Sequence, residues 1–122
     1  MSERISEAEH IVMEVLWREA PLTAAEVSER IESPRDWSLR TVKTMLSRLL
    51  AKGALLHEED GRRYLYRPAI ERDEFVAGES DRLLDRMFGG RVTPLVAHLA
   101  ERNQLSPEDV AEIEALLKAL KP

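Results

Sequence analysis

Apolar residues recur at helical spacing in three short segments at the start of the chain. Ser6 and Glu9 form a capping box at the head of the first segment, and the apolar residues that follow predict a helix over 6–19. Thr23 and Glu26 repeat the capping box and predict a second, shorter helix. A turn at 33–36 then separates this helix from the third segment.

The third segment shows the sharpest separation of apolar from polar positions. It begins after Ser38 and continues to Gly53, a residue suited to the left-handed position that ends a helix. At about 100° per residue, the apolar side chains fall within one arc and every polar side chain lies outside it. The apolar arc consists of Leu39, Val42, Met45, Leu46, Leu49 and Leu50. We therefore predict an amphipathic helix with this arc in the core.

The pattern then changes to that of a β-hairpin. Two short runs, 55–58 and 63–67, flank Asp60 and Gly61, and Asp-Gly between such runs is typical of a tight hairpin turn centred on these two residues. Three helices followed by a hairpin form the element order of a winged helix-turn-helix. In that fold, the third helix enters the major groove of DNA and the hairpin, or wing, flanks the phosphate backbone.

Helical periodicity returns from about residue 71. A long helix is predicted to end at Gly89 and Gly90, a short helix follows, and Ser106 with Pro107 begins a last helix. A segment of this length cannot bury its many apolar side chains alone, so it packs on the first domain or on a second copy, and we favour the second copy. The predicted dimer interface consists of Leu83, Leu84, Met87, Phe88, Leu95, Val96, Leu99, Val110, Ile113, Leu117 and Leu120.

The predicted fold class is mainly α with a small β-wing. It combines an N-terminal winged helix-turn-helix DNA-binding domain, over 1–70, with a C-terminal three-helix dimerisation region, over 71–122.

The distribution of charge changes what the overall charge suggests. A formal net charge of −5 argues superficially against a nucleic acid as partner. However, residues 37–67 contain seven basic and three acidic side chains, whereas residues 71–122 contain seven basic and eleven acidic ones. The basic excess therefore lies on the third helix and the hairpin.

The solvent face of the third helix contains no carboxylate. Because solvated helices normally mix both signs of charge, a face of Arg, Lys, Thr and Ser suits a partner made of phosphates and base edges. The alternative is a basic surface helix that binds nothing. The predicted DNA-binding residues are Ser38, Arg40, Thr41, Lys43, Thr44, Ser47 and Arg48 on the helix, and Arg62 and Arg63 at the tip of the wing.

Several neighbouring residues have more than one interpretation. Lys52, further along the helix, is expected to touch the DNA backbone, as is Arg48. The wing arginines either grip phosphates or serve solubility. Tyr64 and Tyr66 share one strand face, where they either stack on DNA or cover the core, and we favour the core.

The sequence offers no catalytic, metal or cofactor motif. Cysteine is absent, and His10, His57 and His98 are scattered along the chain without metal-ligand spacing. No nucleophile with its base or paired acids can be assigned, so an enzyme is not expected. No signal peptide or membrane-length apolar run is evident, which predicts a cytoplasmic protein without membrane insertion. A winged helix used only for protein association remains the alternative function.

The sequence resembles the penicillinase-repressor and methicillin-resistance-regulator (BlaI/MecI) family of bacterial transcriptional repressors over nearly its whole length. The stretches that carry this resemblance are residues 5–9, 12–13, 16–17, 37–49, 52–54, 61–66, 68, 88–90 and 104–106. The resemblance implies a homodimer on inverted-repeat operators that represses genes such as those for a β-lactamase and its sensor. It also implies DNA contacts by Arg40, Thr41, Lys43, Thr44 and Arg48.

Two features of the family differ in this sequence. Members are cleaved in the short helix after the glycine break through a membrane-bound sensor-protease pathway, often at an Asn-Phe bond. The matching bond here is His98-Leu99, so the cleavage signal is altered. A related branch senses copper through C-terminal cysteines, which this chain lacks.

Overall fold

The structure is a computed structural model that describes residues 4–32 and 36–121, within which six helices and two strands follow one another. The elements are α1 (Glu7–Arg18), α2 (Ala24–Arg30), α3 (Leu39–Ala51), β1 (Leu55–Asp60), β2 (Arg63–Pro68), α4 (Arg72–Phe88), α5 (Val92–Glu101) and α6 (Pro107–Leu120). Residues 33–35 of the predicted turn lie outside the described residues.

Local capping signals set the helix boundaries. The Ser6 hydroxyl accepts a hydrogen bond from the Glu9 backbone N–H at 3.1 Å, and the Glu9 carboxylate accepts one from the Ser6 N–H at 2.8 Å. Thr23 and Glu26 form the same reciprocal pair at the start of α2. Both predicted capping boxes are therefore confirmed. Each one satisfies two backbone N–H groups that the start of a helix otherwise leaves without partners.

Helix α3 packs its apolar arc against α1, α2 and β1. Val42, Leu46 and Leu49 are fully buried and Met45 nearly so, whereas Leu50 is half-buried and Leu39 is 40% exposed. The predicted core position of Leu39 is therefore wrong, since the first turn of the helix extends beyond the packed region. The core cluster consists of Val12, Met13, Val15, Leu16, Leu22, Ala24, Val27, Val42, Met45, Leu46, Leu49, Ala54 and Leu55.

Strands β1 and β2 form an antiparallel hairpin in which Leu55 pairs with Pro68 and Asp60 pairs with Arg63. The predicted turn is thus displaced by one residue, because Asp60 belongs to the strand and Gly61 with Arg62 makes the turn. Positive φ occurs at Gly61 (+68°) but not at Arg62, the pattern of a turn with glycine first.

The hairpin is extended by an isolated bridge to the segment between α1 and α2. Leu22 and Tyr66 exchange two backbone hydrogen bonds, of 3.1 and 2.8 Å. This contact fixes the base of the wing on the helical core.

The chain folds into two compact units, Met1–Val76 and Ala77–Pro122. The start of α4 belongs to the first unit, where the Trp17 indole N–H donates to the Ile70 carbonyl at 3.0 Å and Arg72 binds both Glu14 carboxylate oxygens at 2.8 and 3.1 Å. In the second unit, α5 and α6 contain no buried residue, and neither does any part of α4. The division into a DNA-binding domain at 1–70 and a dimerisation domain at 71–122 remains a prediction.

Candidate nucleic-acid interface

Four side chains on the solvent face of α3 are exposed and unengaged. The side chains of Arg40, Lys43, Ser47 and Arg48 make no hydrogen bond or ion pair with any residue that the structure describes. The first turn of the helix contains no acidic residue. Three cations therefore project from one helix with their donors available, which suits the acceptor-rich surface of DNA.

The hydroxyl side chains of the same helix already have local partners. Ser38 caps α3, since its hydroxyl accepts from the Thr41 backbone N–H at 3.1 Å and lies 3.0 Å from the Thr41 hydroxyl. The Thr44 hydroxyl donates to the Arg40 carbonyl at 3.0 Å. Ser38 thus stabilises the start of the helix, Thr41 and Thr44 have partners within it, and each hydroxyl retains capacity for a further hydrogen bond.

The two wing arginines have different environments. Arg63 donates to one oxygen of Asp60 from Nε at 3.1 Å and from Nη2 at 3.0 Å. Arg62 is exposed and has no polar partner among the described residues. Arg62 is therefore the better candidate for a phosphate contact, because Arg63 would have to leave Asp60 or share it.

The two tyrosines of the wing also lie in different environments. Tyr66 packs against the core, and its burial raises the pKa of its hydroxyl. Tyr64 is 43% exposed and stacks on His57 with ring centroids 4.7 Å apart. The prediction that both cover the core is correct for Tyr66 alone.

Lys52 faces the protein instead of the solvent. Its ammonium group donates to the Glu9 carboxylate at 2.5 Å and to the Arg4 carbonyl at 2.8 Å. Burial by itself raises the pKa of Glu9, but hydrogen bonds from Lys52 and Ser6 outweigh it and lower the pKa below its usual value. The side chain thus already has partners within the protein, and its expected contact with the DNA backbone stays a prediction.

The apolar residues predicted for dimerisation occupy two environments. Leu84, Phe88, Leu95, Val96, Leu99 and Ile113 are half-buried, whereas Leu83, Met87, Val110, Leu117 and Leu120 are exposed. Sequence reasoning missed Val92 and Leu116, which are also exposed, at 57% and 66%. Leu116 falls outside the spacing that identified the other residues of α6.

Within the described residues, no group of three or more His, Asp or Glu side chains is placed to hold a metal ion. In that same part of the chain, no helix is long and apolar enough to cross a membrane.

A winged helix whose third helix exposes an acid-free row of cations defines a DNA-binding transcriptional regulator. The sequence model of the penicillinase repressor family matches residues 5–119, and the chain belongs to this family of transcriptional repressors. It is accordingly not an enzyme. This membership confirms the resemblance. The helical structure with its two-stranded wing confirms the predicted mainly α fold class with a winged helix, whereas dimerisation stays a prediction.

Individual relatives agree with this assignment. The chain is 35% identical over 118 residues to the penicillinase repressor of Bacillus licheniformis, covering 97% of this chain and 92% of the relative. It is 28% identical over 113 residues to the methicillin resistance regulatory protein MecI of Mammaliicoccus sciuri, covering 93% and 92% respectively. The solution structure of monomeric Bacillus licheniformis BlaI with the blaP half-operator matches with a TM-score of 0.51 and 38% identity, over 61% of this chain and 90% of that chain.

Proposed function

We propose that this repressor acts as a homodimer on inverted-repeat operator DNA. Two copies would present two α3 helices to successive half-sites of a palindrome, which raises specificity beyond that of one small module. The observation that carries the DNA-reading part is the row formed by Arg40, Lys43 and Arg48, exposed and unpaired in the described structure. A relative of known structure, BlaI of Bacillus licheniformis, has been solved with a half-operator.

The assigned roles follow from position and availability. Arg40 and Lys43 lie in the first turns of α3, where a recognition helix meets base edges, and they read sequence. Arg48 and Arg62 contact phosphates. Ser38 and Thr41 hold the first turn of α3 in shape, and the hydroxyls of Ser38, Thr41 and Thr44 hydrogen-bond to the DNA. Ser47 and Arg63 complete the proposed contact surface. As an operator-binding bacterial repressor, the protein acts in the cytoplasm.

The first experiment selects ligands for the purified protein from a random duplex pool at a stated salt concentration. Recovery of an inverted repeat is the expected result. Recovery of no motif would overturn sequence-specific binding and would leave the winged helix as a module for protein association.

Variants then separate base reading from phosphate contact. Arg40→Ala and Lys43→Ala should each weaken binding to the selected operator by about 1–3 kcal/mol and weaken binding to random DNA much less. Arg62→Ala should weaken both to a similar degree and reduce the salt slope by about one. Arg86→Ala removes the same charge from the exposed surface of α4 and serves as the control. Equal losses on operator and random DNA for Arg40→Ala and Lys43→Ala would contradict base reading.

We further propose that the repressed genes include a β-lactamase or related stress genes, as in the family. Control by a membrane sensor-protease pathway would require cleavage at His98-Leu99. Both residues lie inside α5, so the helix would have to unwind before a protease could engage the bond. The repressor is incubated with a cell extract in which the sensor-protease pathway is active, and its fragments are identified by mass spectrometry. An intact bond between His98 and Leu99 would exclude this cleavage.

A further inference from the structure

Leu39 is an exposed apolar residue at the start of the proposed recognition helix. It is the first residue of α3 and is 40% exposed, whereas Val42, Leu46 and Leu49 of the same apolar arc are fully buried. The core therefore covers Leu39 only in part and leaves apolar surface of this side chain open to solvent. The start of α3 does not depend on Leu39 for its cap, which Ser38 provides.

The neighbours of Leu39 place it beside the candidate base-reading cations. It precedes Arg40 directly, and at about 100° per residue it lies roughly 40° around the helix from Lys43, one turn earlier. The hydrogen bond from the Thr41 backbone N–H to Ser38 and the contact between the two hydroxyls hold this turn in a defined shape. Leu39 is thus a partly exposed apolar group on a capped helical turn, at the margin of a polar, basic face.

The major groove offers one chemical group that suits an apolar side chain at this position. Base edges there present hydrogen-bond donors and acceptors, and the C5 methyl group of thymine is their distinctive apolar group. We propose that Leu39 is a specificity-determining residue that packs against the C5 methyl group of a thymine in each operator half-site. This inference rests on the proposed function, since it requires α3 to lie in the major groove.

The test uses the operator that the selection experiment returns and replaces its thymines one at a time with deoxyuracil, which lacks only the methyl group. The wild-type protein should lose about three- to fivefold in affinity at one thymine, or two adjacent ones, in each half-site. Leu39→Ala should bind the unmodified operator more weakly by a similar factor and should no longer distinguish thymine from uracil at that position.

Leu56→Ala is the matched control. Leu56 is a leucine of similar exposure, 45%, on β1, and its replacement should leave the thymine-to-uracil difference unchanged. Thermal unfolding followed by circular dichroism checks that both variants fold as the wild type does.

The outcomes distinguish this inference from the proposed function. Absence of any selected motif overturns sequence-specific binding itself. Selective binding that no uracil substitution weakens, or a Leu39→Ala variant that keeps the full thymine-to-uracil difference, overturns the role of Leu39 alone.

Discussion

Glu9 and Lys52 lie 43 positions apart in the sequence and form a buried ion pair in the structure. Their side chains are only 3% and 15% exposed, and Glu9 also closes the capping box of α1 with Ser6. One carboxylate thus joins the start of α1 to the end of the proposed recognition helix. The sequence does not reveal this pair, because Glu9 is distant along the chain and no local spacing connects it with Lys52. The position of Lys52 near the end of a basic helix suggests a DNA-backbone contact instead.

Lys52→Met should destabilise the winged-helix unit by about 3 kcal/mol, because it leaves the Glu9 carboxylate buried without its counter-charge. Urea denaturation followed by circular dichroism measures the change. Arg48→Met, an exposed position on the same helix, should change the free energy of unfolding by less than about 0.5 kcal/mol. Equal effects of the two substitutions would contradict a structural role for Lys52.

The lowered pKa of Glu9 predicts part of the acid sensitivity of the protein. Because the carboxyl is more acidic in the folded state than in the unfolded chain, its stabilising contribution is complete above about pH 4.5 and declines as the pH falls through the folded-state pKa. Glu9→Gln should therefore be less stable than the wild type at pH 6, and the difference in the free energy of unfolding should shrink as the pH falls below 4.5. A constant difference in the free energy of unfolding across this range would refute the linkage.

At the scale of elements, the end of α3 depends on the backbone conformation of Gly53. Its φ is +79°, and its N–H donates to the Leu50 carbonyl at 3.0 Å. The Ala54 N–H donates to the Leu49 carbonyl at 2.9 Å, so these two carbonyls near the end of the helix have partners. No heavy atom lies within 4 Å of a Cβ added at Gly53. The requirement for glycine therefore comes from the backbone and not from packing.

Gly53→Ala should destabilise the protein by about 1–2 kcal/mol, because the alanine Cβ makes the left-handed backbone conformation unfavourable. Gly53→Asn should destabilise it less, since asparagine adopts this conformation more readily. Gly78→Ala is the control. Gly78 lies inside α4 without positive φ and also has open space around it, so alanine there should stabilise the helix by about 0.5–1 kcal/mol. Substitutions of the same sign at both positions, measured by urea denaturation, would contradict this account.

Sequence patterns predicted those parts of the fold that depend on neighbours a few residues apart. Capping boxes, the Gly53 helix end and the hairpin follow from such local signals. The pairing of Leu22 with Tyr66 and the hydrogen bond from Trp17 to the Ile70 carbonyl join distant parts of the chain and leave no periodic trace. The exposure of Leu39 was missed for a related reason, since helical periodicity gives a direction around the helix but not the point along it where packing stops.

At the scale of the whole molecule, the exposed apolar side chains of α4, α5 and α6 contrast with the well-filled core of the first unit. Leu116, Leu117 and Leu120 are 66%, 53% and 80% exposed on α6 alone. Apolar area of this kind marks an interaction surface in a folded protein. We infer that a second copy covers it, which would also supply the second recognition helix.

Leu117→Glu should accordingly convert the dimer to a monomer, since it places a charge in the proposed apolar interface. Sedimentation velocity should show a lower sedimentation coefficient, and operator affinity should fall by about 100-fold or more, because each half-site is then bound independently. Lys118→Glu changes the charge of an adjacent residue of the same helix and should leave the dimer intact. An unchanged sedimentation coefficient for Leu117→Glu would contradict the interface. Retained affinity in a confirmed monomer would instead show that a single winged helix binds the operator without help from a partner copy.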